Sequence, residues 1–151
     1  VQGTVTAKES DWEGNQLNTD PGIAMGYVQF KNEVRGYITA ATGYEFEISG
    51  TKGKLRTEND GVSCQWRKSS GEWNLLEAVE FPDVPHDSAT VNCIDDLVSA
   101  IETDGDTMGN IRLARRSQEM IFGMIESHRH GGLRVPIPFE NRSLYVGKAD
   151  W

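Results

Sequence analysis

Turn chemistry interrupts the first half of this chain at short intervals, and helical periodicity begins only after residue 87. A doubly wound α/β fold needs strands and helices in alternation, so this segregation points instead to antiparallel meanders followed by helices. Residues 1–7 alternate weakly, and a polar, turn-rich loop over 9–22 follows, containing Trp12, Gly14, Asn15, Asn18, Asp20 and Pro21. Residues 23–30 and 34–41 predict a hairpin about Asn32-Glu33, where Asn tolerates a left-handed backbone and Glu stands in place of the usual Gly. Tyr44, Phe46 and Ile48 fall on one face of the next strand, and Glu45 and Glu47 on the other. Gly50-Thr51-Lys52-Gly53 and Asn59-Asp60-Gly61 turn the chain into strands at 54–57 and 62–67, with Val62, Cys64 and Trp66 on one face. A long strand is expected at 73–81.

Two helices should follow. Asp87 or Ser88 can cap the first, whose stripe is Val91, Ile94, Leu97, Val98 and Ile101. The second starts after Asn110, with Ile111, Ala114, Gln118, Ile121 and Ile125 on one face. It ends on His128, Arg129 and His130, which suit the helix dipole, before Gly131-Gly132. Leu133, Val135 and Ile137 suggest a closing strand, and residues 144–146 a last short one. The expected fold is α+β, a large, mainly antiparallel open sheet with two main helices on one face. The other face stays open, with Arg35, Tyr37, Thr39, Glu45, Glu47, Gln65 and Arg67 as its expected residents, and is either solvated or used for association.

Composition narrows the partners. A net charge of −8 without a basic cluster makes nucleic acid and anionic membrane poor choices. At 151 residues the chain suits a single domain, and roughly two-thirds of its unfolded surface can be buried without a staple. Its apolar runs are too short for a transmembrane helix. Cys64 and Cys93 are expected as reduced, buried thiols of a cytoplasmic protein. No signal peptide opens the chain. A start at Val1 rather than Met implies processing, trimming or excision from a longer reading frame.

No motif supplies a reaction. No two glycines are separated by one residue, so a Gly-x-Gly dinucleotide turn is absent. Gly50-Thr51-Lys52-Gly53-Lys54 has neither the Walker spacing nor a following helix and reads as a hairpin turn; a nucleic-acid-clamping Gly-x-x-Gly loop would need flanking helices and a basic surface. Asp95 and Asp96 point about 100° apart on a helix and do not converge on one proton. His128 and His130 diverge on a helix and have no Cys or Asp beside them, so a metal site is not expected. His86 reads as a solvated loop residue, and no Ser-His-Asp or Cys-His set can be assembled. Arg112, Arg115, Arg116 and Glu119 are spaced to pair along one helix surface.

Four segments nevertheless carry a family resemblance. Phe46-Glu47-Ile48-Ser49-Gly50-Thr51-Lys52-Gly53 is similar to the aromatic-x-Ile-x-Gly-x-x-Gly segment of the Gfo/Idh/MocA oxidoreductases, the glucose-fructose oxidoreductase and inositol dehydrogenase group. Ile94-Asp95-Asp96-Leu97-Val98-Ser99-Ala100-Ile101 resembles that family's first C-terminal helix. Ala114-Arg115-Arg116-Ser117-Gln118-Glu119 with Ile125-Glu126-Ser127 resembles the next, and Val135-Pro136-Ile137-Pro138 the strand at its end. The order agrees from about residue 23 to 137.

The resemblance implies that residues 1–151 are one C-terminal-type substrate and oligomerisation domain. Its parent would be an NAD- or NADP-dependent oxidoreductase acting on a sugar, polyol or related compound by hydride transfer. It also implies a homo-oligomer through the open sheet face, and it makes Thr42 and Tyr44 the candidate substrate contacts. For Tyr44 the alternative is packing under the helices with Phe46 and Ile48; Trp12 could border the same cleft or lie in a surface loop. The family's Gly-x-Gly-x-x-Gly/Ala turn, its Glu-Lys-Pro segment and its Asp-x-x-x-His pair are absent; Pro82, Met124 and Glu126 stand four before the histidines. The N-terminal Rossmann domain is therefore expected upstream, with no catalytic residue, cofactor binding or turnover in this chain alone. The alternative is a stand-alone, non-catalytic binding or oligomerisation module.

Overall fold

A computed structural model describes residues 1–82 and 88–147. The strands are β1 (Gln2–Val5), β2 (Trp12–Glu13), β3 (Gln16–Leu17), β4 (Ile23–Gln29), β5 (Arg35–Thr39), β6 (Phe46–Gly50), β7 (Gly53–Glu58), β8 (Ser63–Ser69), β9 (Leu76–Val79) and β10 (Tyr145–Val146). The helices are α1 (Ala89–Thr103) and α2 (Ile111–Arg129). The class is α+β and mainly antiparallel, as the segregated periodicities predict. The strands are shared among three sheets, ordered β1-β4-β5, β10-β3-β2 and β6-β7-β8-β9. The chain divides into two compact units, Val1–Ala40 with Asp106–Trp151, and Ala41–Gly105. No helix among the described residues is long and apolar enough to cross a membrane.

In the first unit, the hairpin of β4 and β5 turns where Asn32-Glu33 predicts. Glu33 N–H donates to Phe30 O at 3.0 Å, and Glu33 itself takes the left-handed backbone at φ +67°. The three-residue loop of a turn followed by a left-handed residue explains why Glu, not Asn, carries the positive φ. β1 adds antiparallel to β4, and α2 packs on both. The close approach uses missing side chains: a Cβ on Gly3 would lie 2.8 Å from Met124 Cβ, and one on Gly123 would lie 2.7 Å from Val1 Cγ2.

Beneath α2, Val5, Ala7, Leu17, Ile125, Val135, Phe139 and Leu144 form the buried cluster, with Trp12 and Phe122 packed at its margin. Each fully buried aliphatic side chain contributes about 2 kcal/mol before entropy is counted. The predicted start of α2 holds: Asn110 Oδ1 accepts from the amides of Arg112 and Leu113, both at 3.1 Å. Of its predicted apolar face only Ile125 is buried, at 2% exposed, while Ile111 is 81% and Ile121 36% exposed. The closing segment is not a ladder strand, but Val135 exchanges two backbone bonds with Val1, at 2.7 and 2.8 Å. β10 instead pairs parallel with β3.

In the second unit, β6 to β9 form an antiparallel meander. Gly53, at φ +147°, lets the β6–β7 turn close against β8: a Cβ there would meet Arg67 O at 2.2 Å. Asn59, Asp60 and Gly61 all take positive φ in the next turn. β9 is shorter than expected, because Asn74 also turns left-handed and Trp73 lies in a turn, exposed. α1 has Ser88 at its N-cap without a side-chain cap bond, and none of its residues is buried. Asp87 and His86 lie outside the described residues.

Candidate functional site

Register assigns the residents of the expected open face. Opposed residues share a face of a sheet, so Glu47, Arg56 and Gln65 form one row, and Ser49, Lys54, Arg67 and Ala78 the next. Lys54 Nζ donates to Glu47 Oε1 at 2.7 Å, and Arg67 reaches the other oxygen of Glu47 at 3.9 Å. Arg56 is bonded to Glu45 and lies 3.6 Å from Glu58, which also accepts from Gln65 at 3.1 Å. The hydrogen bonds from Lys54 and then Ser49, with Lys54 and Arg67 charge beside them, hold Glu47 below the usual carboxylate range. Glu45, Glu47 and Glu58 thus answer Lys54, Arg56 and Arg67, and the face is a self-neutralised lattice. Arg35, Tyr37 and Thr39 belong to β5, in a different sheet and the other unit.

Thr42 and Tyr44 lie in the segment that leads into β6. Both are exposed, Tyr44 at 73%, so it is not packed under a helix. Its backbone oxygen accepts from Asp60 N–H at 3.1 Å, which fixes the strand's approach but leaves the phenol in solvent. Trp12 is occupied within its own unit: the Arg129 guanidinium lies 5.2 Å from its ring centroid, and the same guanidinium donates to Asn15 Oδ1 and Gly14 O at 2.6 and 2.9 Å. Of the helix residues spaced to pair with one another, two meet partners off the helix, Arg112 with Asp106 and Glu119 with Arg142. Arg142 lies 2.7 Å from Glu119, close enough to pair but without aligned hydrogen-bond geometry. Cys64 is half-buried and Cys93 exposed, so the free thiols are not the buried ones expected.

Among the described residues, the one buried carboxylate is not among the candidate site residues expected from the sequence. Glu126, 8% exposed, accepts from Asn141 Nδ2 at 3.1 and 3.2 Å, and one of its oxygens lies 3.2 Å from His130 Nε2. With Val135, Pro136, Phe139 and Glu140 these residues line a concavity of about 510 Å³. Next to it, fully buried Ser127 accepts from Gly3 N–H at 3.0 Å and donates to Leu133 O at 2.6 Å. His128 Nδ1 accepts from Val5 N–H at 3.4 Å, so the two histidines serve different partners and share no ligand. Among the described residues no three His, Cys, Asp or Glu side chains are grouped to hold a metal. The signal in the sequence was Ser127 itself, a hydroxyl three residues after Met124 and so on the same buried helix face.

The sequence contains no glycine-rich dinucleotide turn. A pyrophosphate needs free amides at a helix N-terminus behind a glycine-rich turn. The first amides of α2 are already taken by Asn110, and no Gly-x-Gly exists in the chain. Compared with protein-family models, curated proteins and solved structures, the chain matches none.

Proposed function

We propose that this chain is the substrate-side and assembly part of a Gfo/Idh/MocA-like oxidoreductase, inactive by itself. The parent would use NAD or NADP to transfer hydride from a carbinol carbon, or to the corresponding carbonyl carbon, of a sugar, polyol or related compound. The observation that carries the reading is the order of the four resembling segments, which fall on a β6–β7 hairpin, on α1, on α2 and on the segment after it. An α+β fold with an antiparallel sheet supports it. On this reading Thr42 and Tyr44, exposed before β6, face substrate in the complete enzyme, and the charged face of the β6–β9 sheet is the surface for self-association. A lattice that neutralises itself within one copy can meet a second copy without net repulsion.

The test is the reading frame upstream of Val1. An in-frame Gly-x-Gly-x-x-Gly, Glu-Lys-Pro and Asp-x-x-x-His is expected, and the protein so extended should bind NAD+ or NADP+ and reduce it to NADH or NADPH while oxidising at least one member of a polyol panel. A stop followed by a start codon close to Val1, or an extended protein that binds neither nucleotide, overturns the reading and leaves a stand-alone assembly module.

A further inference from the structure

Two apolar surfaces of the second unit face solvent, and each supplies what the other lacks. On the sheet face opposite the charged lattice, Ile48, Leu55, Trp66 and Val79 form one row across β6 to β9, with Phe46, Thr57 and Cys64 in the next. Phe46 and Ile48 are largely exposed. Ile48, Leu55 and Trp66 line a shallow concavity of about 480 Å³, together with Lys52 in the β6–β7 turn and Lys68, whose Nζ lies 4.1 Å from the Trp66 ring centroid. Lys54, on the same rim, is paired with Glu47 on the other face. Lys52 and Lys68 have no carboxylate at ion-pair distance among the described residues, although Glu77 stands opposite Lys68 in register. In a chain of net charge −8, two lysines outside any ion pair, beside an aromatic, apolar floor, select an acidic, apolar partner.

α1 has that chemistry. Val91, Ile94, Leu97, Val98 and Ile101 are exposed along one stripe, and Ile101 is 71% exposed. Asp95 and Glu102, seven residues apart, run along one flank of that stripe about 10 Å from each other, and the helix contains no Lys or Arg. Within one chain none of its residues is buried. We propose that the apolar face of the β6–β9 sheet receives α1 of a second copy of this chain. Asp95 and Glu102 then meet Lys52 and Lys68, and reciprocal exchange closes a two-fold dimer. The proposal does not rest on the oxidoreductase reading, and it uses the sheet face opposite the one assigned to assembly there.

The native thiols make the contact measurable, because Cys64 lies on the receiving face and Cys93 borders the stripe of α1. A mixture of ¹⁴N- and ¹⁵N-labelled full chain, oxidised mildly with copper phenanthroline, should give Cys64–Cys93 peptides of mixed isotope in a covalent dimer. Light scattering across a concentration series should show a dimer whose Kd rises at least about tenfold in Lys52→Glu/Lys68→Glu. Adding Asp95→Lys/Glu102→Lys should restore it. A chain that stays monomeric throughout overturns the proposal. So does a Cys64–Cys93 bond found only within single-isotope chains, which would fold α1 onto its own sheet. A dimer indifferent to the lysine changes would assign the interface elsewhere and overturn it as well.

Discussion

Met124 lies directly over Gly3: a Cβ built on the glycine would sit 2.8 Å from Met124 Cβ and 2.9 Å from its Cγ. The contact joins α2 to β1 and continues onto β4, because Gly26, opposite Gly3 in register, lies under the same side chain, where a Cβ would sit 2.9 Å from Met124 Sδ. Gly3→Ala should therefore destabilise the first unit by about 1–3 kcal/mol, the usual cost of overpacking. Urea unfolding followed by far-ultraviolet circular dichroism measures it, and an unchanged midpoint would refute the contact. Gly3→Ala combined with Met124→Ala should be less damaging than the sum of the two.

Gly53 and Gly61 separate two costs that a glycine can hide. Both have positive φ, but a Cβ on Gly53 would strike the Arg67 carbonyl oxygen at 2.2 Å, whereas one on Gly61 meets nothing within 4 Å. Gly61→Ala should cost about 1–2 kcal/mol, the left-handed penalty alone. Gly53→Ala adds a collision with a backbone that cannot rotate away, so it should cost more and break the β7–β8 pairing locally. Amide hydrogen exchange across β7 and β8 distinguishes them, and equal effects would contradict the geometry.

Ser127→Ala should destabilise by about 1–3 kcal/mol, because it leaves the buried Gly3 N–H without its acceptor and the Leu133 carbonyl without its donor. Ser127→Thr retains the hydroxyl but must place an extra methyl beside a fully buried site. Thermal unfolding should rank wild type above both. An alanine variant as stable as wild type would mean the hydroxyl bridge contributes nothing.

Glu47 links the charged lattice to pH. Its carboxyl titrates below the usual range in the fold because Lys54 and Ser49 bond to the ionised form. A depressed folded value means that the contribution is present above the unfolded pKa and lost as pH falls through the folded one. The second unit should accordingly weaken on acidification through the region below the ordinary Glu pKa. Lys54→Met should move the Glu47 midpoint, read from its carboxyl carbon by NMR, upward towards the ordinary value. High salt should leave the direct hydrogen bond in place but reduce the part due to Arg67, 3.9 Å away. A midpoint unmoved by Lys54→Met would show that the bond does not set it.

Local chemistry was legible wherever it acts within a few residues. Asn110 reads as a helix cap because its side chain reaches the amides two and three residues on. The alternation through Phe46 and Ile48 gives the two faces of β6, and Gly50-Thr51-Lys52-Gly53 gives its turn. Asn32-Glu33 located a hairpin but not which residue turns left-handed, since that depends on the length of the loop. Tyr44 was open between a cleft wall and a packed aromatic; the fold exposes it, and periodicity has no information on what lies opposite.

By itself, then, the sequence determined the succession of antiparallel strands and then helices, the positions of the turns and the composition of each face. Those properties follow from backbone preference and the periods of side-chain direction. Only the tertiary structure decided that Ile125 is buried while Ile111, on the same helical stripe, is bare. It also decided that Tyr145 pairs with Gln16, and that Ser127 bridges β1 to the chain beyond α2. Burial and pairing belong to two segments distant in sequence, so neither segment's own pattern contains them.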